Sequence, residues 1–333
     1  MKKAGILSVL FLLVPLAVAV IADAQHPEQK VYRIGVLRTD TPAIFATRNE
    51  AFRQGLHELG YVEGRNTVIE YRYAEGKVDR LPQLAADLVD HKIDIIVTGG
   101  NQATLAAKQA TSTIPIVVGS AGNLVQLGVV ASLDHPGGNV TGSTSISPDL
   151  RRKRLRILKE SLPTVSRVAV ISYRRSDALR DREEAARTEI AAKALGITIQ
   201  PIQVETLDQF RDAYAAIEKE HVDALVIIQS SFMFINRDQI FAFAKKRRLA
   251  SMCEALLWTE NSCLMSYGPD LPSQYHRAAF FVDKILKGTH PGDIPVDSPT
   301  KFDFIINLKA AKQIGLAISP NVLARADKVI KSE

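Results

Sequence analysis

The run Ile34-Gly35-Val36-Leu37, followed by Leu59-Gly60 and then Lys92-Ile93-Asp94-Ile95-Ile96-Val97, returns later in the chain in altered form. There it reads Val168-Ala169-Val170-Ile171, Leu195-Gly196 and His221-Val222-Asp223-Ala224-Leu225-Val226. Each passage is an apolar strand, a long amphipathic stretch closed by Leu-Gly, a second strand, another helix and a short strand bearing an aspartate. A unit written twice at this scale predicts an α/β protein of two doubly wound parallel-sheet lobes with right-handed crossovers. Two lobes make a cleft, and ligands of parallel sheets bind beyond the carboxyl ends of the strands.

Around the first unit, Val31–Leu37 reads as a strand ended by the loop Arg38-Thr39-Asp40-Thr41-Pro42. The next helix carries Phe52, Leu56 and Leu59 on one face, with Gly60 as its C-cap. Thr67–Tyr73 alternates as a strand, Leu81–Val89 is helical, and Ile93–Val97 is a strand covered on both faces. A helix over Gln102–Ala110, a strand over Ile114–Val118 and a further helix to Leu133 follow, before Pro136-Gly137-Gly138-Asn139 breaks the pattern. Asn139–Ser147 suits a strand crossing between lobes, and Leu150–Leu162 is a helix carrying the basic run Arg151–Arg156. The rhythm restarts at Arg167 and continues to strands near Leu249–Cys253 and Cys263–Tyr267. A helix over Pro272–Leu286 and a strand over Lys301–Leu308 lie beyond the second unit. If these return to the first lobe and cross again, three segments form a hinge. The expected partition is residues 31–143 plus 268–290 in one lobe and 144–267 plus 291–333 in the other.

Lys2 and Lys3 precede an uncharged, mostly apolar run from Ala4 to Ile21, and Ala22-Asp23-Ala24 fits a small-x-small cleavage site. The expectation is a signal peptide over residues 1–24, cut after Ala24, which places the product in the periplasm; an uncleaved anchor is the alternative. The first cysteine is Cys253, so none follows the apolar run to accept a lipid. The formal charge of +6 over 333 residues is modest, with both signs scattered along the chain. Cys253 and Cys263 are the only cysteines; they either pair in an oxidising compartment or sit apart as small buried hydrophobes.

Catalysis needs a constellation that is missing here. The seven histidines, at positions 26, 57, 91, 135, 221, 276 and 290, have no metal-ligand spacing. His91 and His221 stand at matching places before the aspartate-bearing strands, which suggests a structural role for both. Gly-x-Ser-x-Gly, Gly-x-Gly-x-x-Gly and the P-loop pattern are absent. No enzyme, no cofactor and no metal are expected. Nucleic-acid binding is not expected either, since export removes the partner.

Several ordered stretches carry a family resemblance. They are Glu50-Ala51-Phe52-Arg53-Gln54-Gly55-Leu56 with Glu58-Leu59-Gly60-Tyr61-Val62-Glu63-Gly64, Ala110-Thr111-Ser112-Thr113-Ile114-Pro115-Ile116-Val117, and Pro136-Gly137-Gly138-Asn139-Val140-Thr141-Gly142. Leu264-Met265-Ser266-Tyr267-Gly268-Pro269-Asp270, Pro299-Thr300-Lys301-Phe302-Asp303-Phe304 and Leu323-Ala324-Arg325-Ala326-Asp327 continue them. Together they resemble the extracytoplasmic substrate-binding proteins of ABC transporters, in the subgroup that includes tryptophan- and tyrosine-type binders. The resemblance implies a type I periplasmic-binding-protein fold, a small-molecule ligand, and delivery to an ABC permease driven by a cytoplasmic ATPase. A monomer is expected; a sensor for a membrane signalling protein is the alternative of another class.

The strand-end loops supply the candidate ligand residues. In the first lobe these are Thr39, Asp40 and Thr41, then Gly100, Asn101 and Gln102, then Ser120 and Asn123. In the second they are Tyr173, Arg174, Ser230, Phe232, Glu254 and Tyr267. Glycines at 99 and 100 before a helix let backbone approach a carboxylate, or make an ordinary tight turn. Thr39 and Thr41 either donate to a carboxylate or cap the helix. Asn123-Leu124 departs from the Asp-Pro of many relatives, removing a partner for an ammonium group. Arg174 and Arg175 replace an Asn-Pro-containing loop and either favour an acidic ligand or face solvent. Phe232, Met233, Phe234 and Trp258 offer an apolar wall or pack in the core. The basic runs Arg151–Arg156 and Lys245–Arg248 are solvated helix faces or permease-docking surfaces.

Overall fold

The computed structural model describes residues 30–145, 150–173, 178–254, 256–260 and 262–331, so the expected signal segment lies outside the described residues. The first sheet is built from β1 (Tyr32–Arg38), α1 (Pro42–Glu58), β2 (Thr67–Tyr73), α2 (Leu81–Asp90), β3 (Ile95–Gly99), α3 (Asn101–Ala110), β4 (Ile116–Ala121) and β5 (Val140–Thr144). Its strands run parallel in the order β2-β1-β3-β4-β5. Both faces are covered, which is why β1 and β3 lack alternation. Ile34, Val36 and Val97 pack to one side with Phe52 and Leu56, while Leu37 and Ile96 pack to the other with Leu81 and Leu88.

The second sheet begins after α4 (Leu150–Ser161), with β6 (Arg167–Tyr173), α5 (Ala178–Lys193), β7 (Thr198–Val204), α6 (Gln209–Lys219) and β8 (Ala224–Ile227). It continues through α7 (Ser231–Ile235), α8 (Arg237–Arg247), β9 (Ala250–Cys253), α9 (Leu256–Glu260) and β10 (Met265–Pro269). Then α10 (Leu271–Leu286) crosses to pack on the first sheet beside α1. The chain returns with β11 (Phe302–Asn307), α11 (Leu308–Ile314), α12 (Pro320–Leu323) and β12 (Lys328–Ile330). The seven strands lie in the order β12-β11-β10-β9-β8-β6-β7, antiparallel only between β10 and β11.

The doubled unit is visible as matching strand orders, β2-β1-β3 and β7-β6-β8. Its repeated aspartate does the same work twice. Asp94 accepts the Arg33 amide at 2.7 Å, and Asp223 accepts the Ser166 and Arg167 amides at 2.7 and 2.8 Å. Each carboxylate thereby anchors the start of the neighbouring central strand. The residue two before each aspartate is left-handed, Lys92 at φ 53° and His221 at φ 49°. The structural counterpart of His221 is therefore Lys92; His91 instead lies with its Nδ1 2.8 Å from Glu70.

The expected helix up to Leu133 is absent. Asn123 Oδ1 accepts the Val125 and Gln126 amides at 3.1 Å, starting a series of turns in which Gly128 takes φ 74°. Leu124, Val129 and Val130 still bury, so this segment's apolar residues fill the first lobe's core without a helix. Residues Pro291–Asp297, which the sequence partition puts in the second lobe, lie along the first. Thr141 donates to the Ile294 carbonyl at 2.7 Å, and Ile294 and Val296 are buried in first-lobe clusters. Their alternating apolar side chains find cover on β5, so the last crossing falls after Asp297.

Three passages link the sheets, and they are tied to one another. Thr144 donates its amide to the Asp297 carbonyl at 2.9 Å, and Asp297 returns one to Gly142 at 2.8 Å. Gln274 on α10 donates to the Thr144 carbonyl at 2.8 Å, and Lys301 Nζ donates to Asp270 at 2.8 Å. Cys253 and Cys263 form a disulfide that spans Glu254 and α9.

Closing a loop of ten residues restricts the unfolded chain, so the Cys253→Ser, Cys263→Ser double variant is expected to lose about 2–3 kcal/mol in denaturant unfolding. Equal midpoints for oxidised and reduced protein would contradict this. Burial opposes ionisation of Asp223, but the Ser166 and Arg167 amides and the Ser166 hydroxyl outweigh it and hold the carboxyl below its ordinary value. Its stabilising contribution is thus present above the ordinary carboxylate range and lost as pH falls through the lower folded value. Asp223→Asn is expected to lower Tm at about pH 7 and to converge on wild type towards about pH 3. A gap that stays constant over that range rules the assignment out.

A candidate ligand site at the facing strand ends

The site is built on the carboxyl edge of the first sheet. Arg38, the last residue of β1, stands in register with Tyr73 on β2 and Gly99 on β3. It falls in phase with Ile34 and Val36, so its side chain enters the core beneath α1 and α10 and is 0% exposed. The guanidinium carbon lies 5.0 Å from the Phe45 ring centre and 4.8 Å from that of Tyr275. Among the described residues, none of its three nitrogens has a hydrogen-bond partner. Arg48, also buried, lies 4.8 Å from the same Phe45 ring.

Burial pulls both guanidiniums below their ordinary pKa, opposed at each by Tyr275. At Arg48 the Asp40 carboxylate raises the value and Arg38 lowers it. Two mutually repelling cations thus share one aromatic nest. Tyr275 reaches the strand ends because glycine stands there. A Cβ on Gly99 would lie 2.1 Å from the Tyr275 hydroxyl and 3.1 Å from Arg38 Nη1, and one on Gly119 2.4 Å from Tyr275 Cε1.

Around this nest the first-lobe candidates divide. Thr39 is buried with its hydroxyl unpartnered among the described residues, and Asp40 is buried beside it. Thr41 occupies the N-cap position of α1, but its side chain makes no capping bond. Gly100, at φ 80°, opens α3, and its amide donates to the Ser120 carbonyl at 2.9 Å. Asn101 Oδ1 accepts the Gly122 amide at 2.8 Å, and Ser120 donates to Gln274 at 2.8 Å. Asn123 spends its carbonyl oxygen on the turn described above. Gln102 is half-buried on α3.

In the second lobe Arg154 is the organising group. It stands in helical phase with Leu150 and Leu158, and is buried rather than on a solvated face as the basic run suggested. Its Nε donates to the Tyr267 carbonyl at 2.6 Å and its Nη1 to Glu254, whose other oxygen accepts the Gln229 amide at 2.8 Å. Burial lowers the Arg154 pKa and Glu254 opposes it. Glu254 and Tyr267 are therefore held by the protein itself. Tyr173 and Phe232 pack together with ring centres 4.9 Å apart. Ser230 caps α7, accepting the Met233 amide at 3.1 Å. Met233, Phe234 and Trp258 are core residues, the last two with ring centres 5.2 Å apart. Arg174 and Arg175 lie outside the described residues. Lys245–Arg248 are exposed at the end of α8.

The lobes touch beside the site. Ile44 packs against clusters of both lobes, and a Cβ on Gly76 would lie 2.4 Å from Ile235 on α7. Among the described residues no helix is long and apolar enough to cross a membrane.

Known proteins share the sequence family and the fold. The family model described as ABC transporter substrate binding protein matches residues 34–330. A protein of Clostridioides difficile named tyrosine-binding protein is 24% identical over 275 residues, covering 80% of this chain and 76% of that one. The structure of a conserved domain protein from Vibrio cholerae is 28% identical, with a TM-score of 0.82 over 90% of this chain and 100% of that chain. A Streptococcus pneumonia ABC domain in complex with L-Trp superposes with the same TM-score of 0.82 at 21% identity, covering 90% of this chain and all of that one.

Packing Tyr275 against two glycines makes a sharp prediction. Gly99→Ala and Gly119→Ala are each expected to cost about 1–3 kcal/mol through overpacking. Tyr275→Phe relieves Gly99→Ala, whose clash is with the hydroxyl, but not Gly119→Ala, whose clash is with the ring. Denaturant unfolding of the two double-mutant cycles reads this, and equal relief in both would count against the placement of the ring.

Proposed function

The chain belongs to the ABC transporter substrate binding protein family, and on that premise we propose how it works. It is an extracytoplasmic receptor that captures a small organic solute, of the amino-acid or carboxylate type, between two lobes. It hands that solute to a membrane permease driven by a cytoplasmic ATPase. The leader through Ala24 is removed on export, leaving a receptor without catalytic activity.

The observation that carries this reading is the contact between segments that follow strand ends of the two sheets, Ile44 on a second-lobe cluster and Gly76 against Ile235, in a chain that links the sheets three times. Ligands of parallel sheets bind at such ends. A solute touching both lobes stabilises the closed arrangement and shifts an open–closed equilibrium, which the permease reads as shape. The names of the relatives, tyrosine-binding in one and bound to L-Trp in another, support a solute of amino-acid size.

The test is a thermal-shift screen of residues 25–333 against amino acids, aromatic acids and dicarboxylates. A ligand at about 100 times its Kd stabilises by about 2.7 kcal/mol, enough to raise Tm by several degrees. Small-angle scattering should show a smaller radius of gyration with that ligand bound. A melting temperature unmoved by the whole panel refutes solute capture of this type.

A further inference from the structure

We propose that Arg38 is the carboxylate-reading group of the ligand site: its guanidinium edge takes the carboxylate of the captured solute, with Arg48 adding positive potential behind it. This deepens the receptor reading above and rests on it.

The argument is a contrast between two buried arginines. Arg154 in the second lobe is satisfied by the protein, through Glu254 and the Tyr267 carbonyl. Arg38 occupies the carboxyl end of a central strand in the first lobe, and the protein offers its nitrogens no acceptor among the described residues. An unpaired buried cation is costly, and a fold retains one where another group pairs with it. The rings of Phe45 and Tyr275 lie against the guanidinium at 5.0 and 4.8 Å. Aromatic rings against its π-system leave the N–H edge, a planar fork matched to a carboxylate.

The surroundings reinforce the sign. Arg48 shares the Phe45 ring, so among the described residues the nest holds two guanidiniums beside the carboxylate of Asp40. Glu254, which follows β9 in the second lobe, is engaged by Arg154 and the Gln229 amide. The hydroxyl of Thr39, next to Arg38, adds a buried donor without a partner among the described residues. Access follows lobe motion. Phe45 follows Ile44, which packs on the second lobe as well as the first, so parting the lobes uncovers the α1 end of the nest. This places the anion end of the ligand in the first lobe, independently of the second-lobe arginines at 174 and 175.

The test compares acids with their neutral amides: benzoate with benzamide, 4-hydroxyphenylacetate with 4-hydroxyphenylacetamide, L-tyrosine with L-tyrosinamide, and succinate with succinamide. Each is titrated calorimetrically into wild type, Arg38→Lys and Arg38→Met, with circular-dichroism melts to verify folding. The expected result is that at least one acid binds wild type and its amide binds about 100-fold more weakly, the size of a charge-assisted bidentate contact. Arg38→Lys, which keeps the charge and loses the fork, is expected to weaken that acid at least about tenfold. An amide binding as well as its acid, or Arg38→Lys retaining full affinity, overturns the assignment while leaving the receptor reading intact. If no member of any pair binds, both fall together. If Arg38→Met does not fold, the acid–amide ratio in wild type and the Lys variant still decide the matter.

Discussion

Helix α10 lies on the first sheet because three positions opposite it carry no side chain. A Cβ on Gly55 would come within 2.5 Å of the His276 carbonyl, and Gly99 and Gly119 make the same allowance for Tyr275. From that seat the helix fixes much of what surrounds the site. Tyr275 lies against the Arg38 guanidinium, while Gln274 accepts from Ser120 and donates to the Thr144 carbonyl at the first crossing. Tyr61 reaches across to Asp283 on the same helix at 3.0 Å. The contact of helix with sheet thus sets the core, the site and the linking segments at once. Interiors are too densely packed for one of these to shift alone.

The distribution of charge follows from which buried groups the fold satisfies. Buried arginines enter both lobes near the strand ends, and Arg154 meets a carboxylate within bonding distance, whereas Arg38 meets none among the described residues. Aromatic rings substitute in the first lobe. They stabilise a cation less completely than an acceptor does, since cation–π attraction does not saturate its N–H donors. The result is a polar asymmetry between two halves that share a topology.

What the sequence makes legible is periodic. The repeated strand–helix rhythm, the Leu-Gly helix ends and the paired aspartates each follow from local patterns, and each has the same role in both lobes. The failures are equally physical. The stretch before Leu133 has the apolar content of a helix, yet the Asn123 turn and Gly128 divert it into turns that bury the same residues. Arg38 and Arg154 look like solvent-facing cations at a loop and in a basic run. Their signal is phase rather than composition, since one follows Ile34 and Val36 at intervals of two and the other lies between Leu150 and Leu158 at intervals of four. Candidates chosen for polar character, such as Ser120, Asn123 and Glu254, also have partners within the protein, Gln274 on α10 for the first and backbone amides for the other two. No local pattern records that Gln274 is the partner of Ser120, because the pair lies 154 residues apart.

The return of α10 also has a consequence in time. A chain that emerges from its amino end presents β1 to β5 long before residues 271–286 exist to cover one of their faces. The first lobe cannot finish folding until nearly the whole polypeptide is available, and closure over such sequence separations is slow. The topology that joins the lobes therefore delays their completion, keeping the first sheet open on one face until the carboxyl-terminal third of the chain has been made.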